Sequence, residues 1–373
     1  MTVAQGYHNL IPTTGLSEPI DTTKPYDPST LSSKTVLITG GALGIGAAFA
    51  REWASHGANI IIGDINASDG EALIASLRTS HPNASHHFVN CDVTSWESQV
   101  NFFKEAARLS PNGAIDIVVA NAGVNHVGHN STFDKPVASK SDPDAPSEPS
   151  TKTIAVNITG VSYTTNLGMF WLPRNGKRAN DSSKPKDRCV LLIGSIAGVV
   201  HLPGQTPYCM SKHAVTGLFR AMRATAYMSH GVRLNMLCPY FISDSNMFPR
   251  AGEAALLGGG AGGARFGDVV DAATRLVADE GVIGRALLVG PKIKDEENGV
   301  EDEVAAWDVY AEDYKDCEAF VWRWVRLMNT IEMAKGWVGW LRDCFGILTR
   351  SRVEAHKWYS NVYKKTNMAI LPF

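Results

Sequence analysis

The sequence predicts an α/β fold, a doubly wound parallel seven-stranded sheet with helices on both faces, followed by a mainly helical C-terminal extension. Three observations predict it. Between Lys34 and Gly290 short apolar runs alternate with longer helical patterns, the rhythm of strands joined by crossover helices. The runs are dense in Val, Ile and Leu without polar alternation, as in strands covered on both faces. The first run ends in a glycine-rich turn that opens a helical pattern, a strand-turn-helix entry suited to a phosphate group.

The predicted strands are KTVLIT, ANIIIGD, HHFVNCDV, IDIVVANAG, CVLLIGS, VRLNMLCP and RALLVG, in that order along the chain. They define a central domain over 34–290. Before it lies an N-terminal arm, 1–33, expected to be poorly ordered or to hug the surface; it lacks a basic start with an apolar run and so does not read as a secretory signal. Two insertions rich in Pro, Ser, Asp and Lys, at 131–151 and 174–188, read as surface loops. The stretch Ile242 to Phe266 contains Gly258-Gly259-Gly260-Ala261-Gly262-Gly263, and its portion from Ala251 to Ala264 is predicted to close over a ligand.

After Gly290 the composition changes. An acidic linker, KIKDEENGVEDEVAAWD, leads into a Trp-rich segment, so 291–373 forms a separate extension. Trp337, Trp340, Leu341, Cys344, Phe345 and Leu348 fall on one helical face. That face is expected to pack on the core or on a second subunit, leaving peripheral membrane contact as the alternative.

Composition excludes several classes. At 373 residues the chain can bury a core without disulfides or a structural metal. A formal charge of -2 leaves no basic footprint for nucleic acid. The six cysteines show no CxxC pairs or metal-like spacing and suit a reducing, cytoplasmic setting as buried small hydrophobes. No apolar stretch approaches the roughly 20 residues needed to span a bilayer.

In the turn Thr39-Gly40-Gly41-Ala42-Leu43-Gly44-Ile45-Gly46, glycines let backbone N–H groups approach a pyrophosphate at a helix N-terminus. Asp64, ending the second strand, suits a ribose 2'-hydroxyl and would repel a 2'-phosphate. With no Arg or Lys in the turn or after Asp64, NAD is expected over NADP. Its alternative is the N-cap of the following helix. Ser195 ends the fifth strand, and thirteen residues later Tyr208 precedes Lys212 by four on a helical run, so the pair shares a face. A nearby ammonium, together with a positive nicotinamide ring, would favour the Tyr208 phenolate and suit it to proton transfer.

These motifs, in this order, resemble the single-domain short-chain dehydrogenase/reductases over roughly 34–290. The match comprises the TGxxxGxG turn, Asp64, Cys91-Asp92-Val93, Asn121-Ala122-Gly123, Asn157, Ser195 and the Tyr208/Lys212 pair. The resemblance implies a Rossmann-type NAD(H)-dependent oxidoreductase, with Tyr208 exchanging a proton with the substrate oxygen and Ser195 hydrogen-bonding that oxygen. Lys212 would hold the ribose hydroxyls, and Asn157 would fix a water linking Lys212 to solvent. Thr39, Gly40, Gly44, Ile45 and Gly46 would cradle the cofactor, Asp92 and Val93 would flank its adenine, and Asn121, Ala122 and Gly123 would line its cleft. Asn121 could equally tie neighbouring strands together.

The family usually carries Pro-Gly and then a Thr after the sixth strand; this chain has Pro239-Tyr240-Phe241-Ile242-Ser243-Asp244. Pro239 and the Ile242 backbone, or Ser243, are left to grip the carboxamide. The Pro-Tyr-Phe run is similar to fungal dehydrogenases likened to 15-hydroxyprostaglandin and 5'-hydroxyaverantin dehydrogenases. Val199, Val200, Leu202, Phe241, Met247 and Phe248 predict a hydrophobic secondary alcohol or ketone as substrate, with His201 nearby. Homo-oligomers are a family expectation. A silent NAD-binding sensor or scaffold and a membrane-peripheral ketone reductase are the competing readings.

Overall fold

The seven expected strands are all present in the computed structural model, most of them where the chain offers a short run rich in Val, Ile and Leu. The structure describes residues 15–126, 132–177, 187–200, 202, 204–242, 263–294, 303–309 and, farther on, 330, 333, 334, 336–338, 340, 341 and 345. Strands β1 (Thr35–Thr39), β2 (Asn59–Asp64), β3 (His86–Asn90), β4 (Ile117–Ala120), β5 (Cys189–Ile193), β6 (Arg233–Pro239) and β7 (Ala286–Lys294) lie in the order β3-β2-β1-β4-β5-β6-β7 and pair in parallel. β1, β4, β5 and β6 are buried along their whole length, whereas edge strand β3 is mostly half-exposed.

Both faces are covered. Helices α1 (Gly44–Ser55), α2 (Ala67–Ser80) and α7 (Phe266–Ala278) place Phe49, Trp53, Ile74 and Leu276 in one core. Helices α3 (Trp96–Leu109), α4 (Val161–Trp171) and α5 (Thr206–Met222) place Phe102, Phe103, Leu167 and Phe219 in the other, with the short α6 (Thr225–His230) beside them. α1 buries Trp53 completely and still satisfies its indole, which donates to Thr274 Oγ1 on α7 at 2.9 Å.

An eighth strand corrects the expected count. β8 (Glu303–Asp308) pairs antiparallel with β7, inside the segment read as an acidic linker. The acids of that segment are not all solvated: Asp308 meets the fully buried Arg285 guanidinium at 2.7 Å and accepts from Ile20 N at 3.0 Å. The described part of the N-terminal arm, 15–33, is bonded to the central domain. Thr22 Oγ1 donates to Ala306 O on β8, Arg275 of α7 donates to the carbonyls of Thr22 and Lys24, and Thr30 Oγ1 donates to Ala278 O. Leu16 and Leu31 are buried beneath it.

The chain divides into two compact units, 8–312 and a second made of 313–373 with 1–7. In the second, the described residues Trp337, Trp340, Leu341 and Phe345 are each more than half exposed, and the two indoles meet edge to face at 5.8 Å. Cys344 and Leu348 of this apolar face lie outside the described residues. Among the described residues no helix is long and apolar enough to cross a membrane. Cys91, Cys189 and Cys238 are buried free thiols and Cys209 is partly buried, in keeping with their expected packing role.

Candidate active site

The carboxyl ends of β1, β2, β4, β5 and β6 open onto one cavity of about 620 Å³, where open α/β sheets receive ligands. At its start, β1 breaks at Gly40, whose φ of 65° is left-handed and whose added Cβ would stand 2.7 Å from Ala122 Cα. Six residues on, a Cβ at Gly46 would lie 2.4 Å from Gly40 O and 2.6 Å from Asn121 Nδ2. The turn is thus shaped by close backbone approach. Gly46→Ala is expected to cost about 1–3 kcal/mol of stability, checked by thermal melting.

Asn121 performs the strand-tying role: its Nδ2 donates to Thr39 O at 3.0 Å and Gly40 O at 2.8 Å. It also lines the cavity, so the two readings of this residue are compatible. Thr39 sits behind, its Oγ1 accepting from Asn121 N and Ala122 N while donating to Val119 O. Asp64 braces the turn from β2: one oxygen accepts from Ala42 N and the other from Asn66 N, both at 3.0 Å. The helix-capping alternative for Asp64 falls to Asn66, whose side chain accepts from Asp69 N at the start of α2. Asp92 accepts from Thr94 N and Thr94 Oγ1 and stays exposed at the same end, beside buried Val93.

Asn157 lies in a π-helical segment, Ala155–Gly160, continuous with α4. Such segments often mark functional positions because they displace backbone groups from the regular ladder. Gln99 anchors it from α3, donating to Val93 O at 2.7 Å and Gly160 O at 3.0 Å. The Asn157 side chain is completely buried and does not line the cavity. Its Oδ1 accepts from Val124 N at 2.8 Å, and its Nδ2 donates to Val124 O at 2.9 Å and Ser211 Oγ at 3.0 Å. The amide thus ties the loop after β4 to α5.

Ser195, at the end of β5, caps a short 3₁₀ turn, Ile196–Gly198, by accepting from Ala197 N at 3.2 Å, and it also faces the cavity. Tyr208 and Lys212 project together from the first turns of α5, with Lys212 Nζ 5.7 Å from the Tyr208 ring centroid. The ammonium donates to Ile193 O at 2.9 Å, and burial pushes it down to about 8. Burial also pushes the Tyr208 phenol above its usual 10, partly offset by a hydrogen bond with Ser195. Burial is the larger of the two effects.

Of the predicted cofactor residues, Gly40, Gly44, Ile45, Asp64, Asp92, Val93, Asn121, Ala122, Gly123, Tyr208, Lys212, Pro239 and Ile242 line the cavity, and so does Ser195. Thr39, Gly46 and Asn157 stand behind its wall. Leu202 and Phe241 line it, whereas Val200 is largely exposed. His201, Ser243, Met247, Phe248 and the predicted lid from 251 to 262 lie outside the described residues.

Sequence reasoning missed Asn125 and Gln205. Both line the cavity, and Asn125 Nδ2 donates to Gln205 Oε1 at 3.0 Å. Gln205 stands three residues before Tyr208, the one available signal, because residues at that spacing share a helix face. Among the described residues no cluster of His, Cys, Asp or Glu could hold a metal ion.

Comparison with known proteins agrees with this geometry. The family model described as short chain dehydrogenase matches residues 34–255, more than half of the chain. The chain is 38% identical to 5'-hydroxyaverantin dehydrogenase of Emericella nidulans over 288 residues, 74% of this chain and 89% of that protein. It is 32% identical to an NADP-dependent dehydrogenase of Phoma sp., covering 70% of this chain and 76% of the relative. It is 30% identical to the NAD(+)-dependent 15-hydroxyprostaglandin dehydrogenase of Rattus norvegicus, covering 57% and 69%. With the glycine turn, Ser195, Tyr208 and Lys212 assembled around one cavity, these likenesses establish that the chain belongs to the short chain dehydrogenase family of oxidoreductases.

Proposed function

We propose that this oxidoreductase interconverts a hydrophobic secondary alcohol and its ketone with NAD(H), using Tyr208 as acid and base. The observation that carries this reading is the convergence of Ser195, Tyr208 and Lys212 on the wall of the cavity that the glycine turn opens. The names of the relatives, two of them dehydrogenases of hydroxylated compounds, support the same substrate class.

The residues fit a nicotinamide dinucleotide: side chains at Gly40 and Gly46 would fill the cradle, and a carboxylate stands at the end of β2. When bound, that cofactor supplies the hydride acceptor or donor. Thr39, Gly40, Gly44, Ile45 and Gly46 form the pyrophosphate turn, Asp64 takes the adenosine ribose hydroxyls, and Asp92 and Val93 flank the base. Asn121, Ala122, Gly123, Pro239 and Ile242 line the nicotinamide half. Lys212 reaches the second ribose, Ser195 hydrogen-bonds the substrate oxygen, and Tyr208 moves a proton between its hydroxyl and that oxygen. Asn157 acts at one remove, by fixing Val124 and Ser211.

Relatives of both cofactor classes occur, so the choice of NAD rests on Asp64. Leu43 and Ile65 beside it are apolar, and Lys212 is the one basic side chain among the residues lining the cavity. A 2'-phosphate would meet a carboxylate with no compensating cation. The test is cofactor reduction with a panel of bulky secondary alcohols. Wild type is expected to prefer NAD, and Asp64→Ala to cut the NAD/NADP ratio of kcat/KM by roughly 10- to 100-fold. A wild-type preference for NADP would overturn the assignment.

A further inference from the structure

The strand end that departs from the family pattern also shapes the cavity. Just beyond β6, Tyr240 N donates to Val289 O at 2.7 Å, and one residue later Phe241 O accepts from Ala264 N at 2.8 Å. Ile242 then bridges to Ala264 in parallel. The backbone carrying Tyr240 is therefore tied to β7 on one side and to the segment before α7 on the other. Tyr240 lines the cavity yet is 39% exposed, which places it at the opening, where a substrate entering toward Tyr208 would pass. Ile196, Leu202, Val156 and Phe241 make the wall there apolar.

A large ring carried on a backbone held on both sides offers a flat surface at the opening of the cavity. Such a surface discriminates by shape. A planar conjugated ligand stacks against it with more than its area of burial, whereas a saturated ligand of equal size gains the burial alone. We propose that Tyr240 is a specificity-determining residue that selects planar aromatic or conjugated substrates over saturated ones. The proposal rests on the alcohol-ketone reading above and names the substrate class within it.

The test compares 2-acetylnaphthalene with its saturated decalin counterpart, using full-length wild type, Tyr240→Leu and Tyr240→Phe. Two readouts are needed: kcat/KM with NADH, and calorimetric affinity for each ketone in the presence of saturating NAD. Wild type is expected to favour the naphthyl ketone in both. Tyr240→Leu should lower the naphthyl-to-decalin ratio roughly three- to tenfold, chiefly through KM, and Tyr240→Phe should retain it. An unchanged ratio in Tyr240→Leu, or equal binding of the two ketones by wild type, overturns the proposal. Absent turnover of both ketones together with a Tyr240-dependent binding ratio would count against the proposed reaction and leave the stacking role supported.

Discussion

Tyr208→Phe is expected to lower kcat/KM by roughly 10³-fold, because it removes the one hydroxyl placed to exchange a proton with the substrate oxygen. NAD affinity should change by less than about threefold, since the variant keeps the ring and its packing. The two readouts separate chemistry from binding. Steady-state turnover with a bulky secondary alcohol, beside a calorimetric NAD titration, checks both. Burial holds the phenol above its usual 10, so at neutral pH Tyr208 carries the proton that the proposed ketone reduction would use.

Lys212→Met is expected to separate activity from stability in opposite directions. Turnover should fall roughly 10²- to 10³-fold with the loss of the buried ammonium beside Tyr208. Stability of the cofactor-free protein should rise. Lys212 is held near 8 by burial, against an ordinary value of 10.5 in the unfolded chain. Between those limits the unfolded chain binds more protons at this group, so its contribution to wild-type stability rises with pH across that window. Below about 8 the cost of the buried charge is fully present. Methionine removes it and loses the hydrogen bond to Ile193 O, for a net gain of roughly 1–2 kcal/mol at pH 7. Thermal melts from pH 7 to 10.5 should show the variant's advantage over wild type shrinking as pH rises above about 8; the difference is the readout, because the buried thiols Cys91, Cys189 and Cys238, pushed up by burial, lower the stability of both proteins above pH 9.

The sheet was legible because its strands are continuous Val, Ile and Leu runs that both cores need. β8 was not, because Glu303 and Asp308 belong to a run of acids that resembles a solvated linker. Only the fold brings Arg285 to Asp308 and turns that acid into a buried partner. In the site, the glycine turn and the Tyr208/Lys212 spacing are local patterns, and the structure assembles them around one cavity. Asn125 and Gln205 meet across 80 positions of chain, a proximity that periodicity does not encode. The partners of Asn157, Val124 and Ser211, come from two other elements and are not encoded in its local pattern. Nor does local spacing encode the burial that pushes the Tyr208 phenol up.

The central claim is that hydride leaves the carbinol carbon of a secondary alcohol for NAD while Tyr208 takes the hydroxyl proton. Wild type supplied with NAD and a bulky secondary alcohol deuterated at that carbon tests it most directly, by the mass of the cofactor recovered. The account predicts reduced cofactor carrying the deuterium, formed at a rate that collapses in Tyr208→Phe. Cofactor that binds tightly but returns oxidised and undeuterated across the alcohol panel would contradict it, as would undiminished deuterium transfer in Tyr208→Phe.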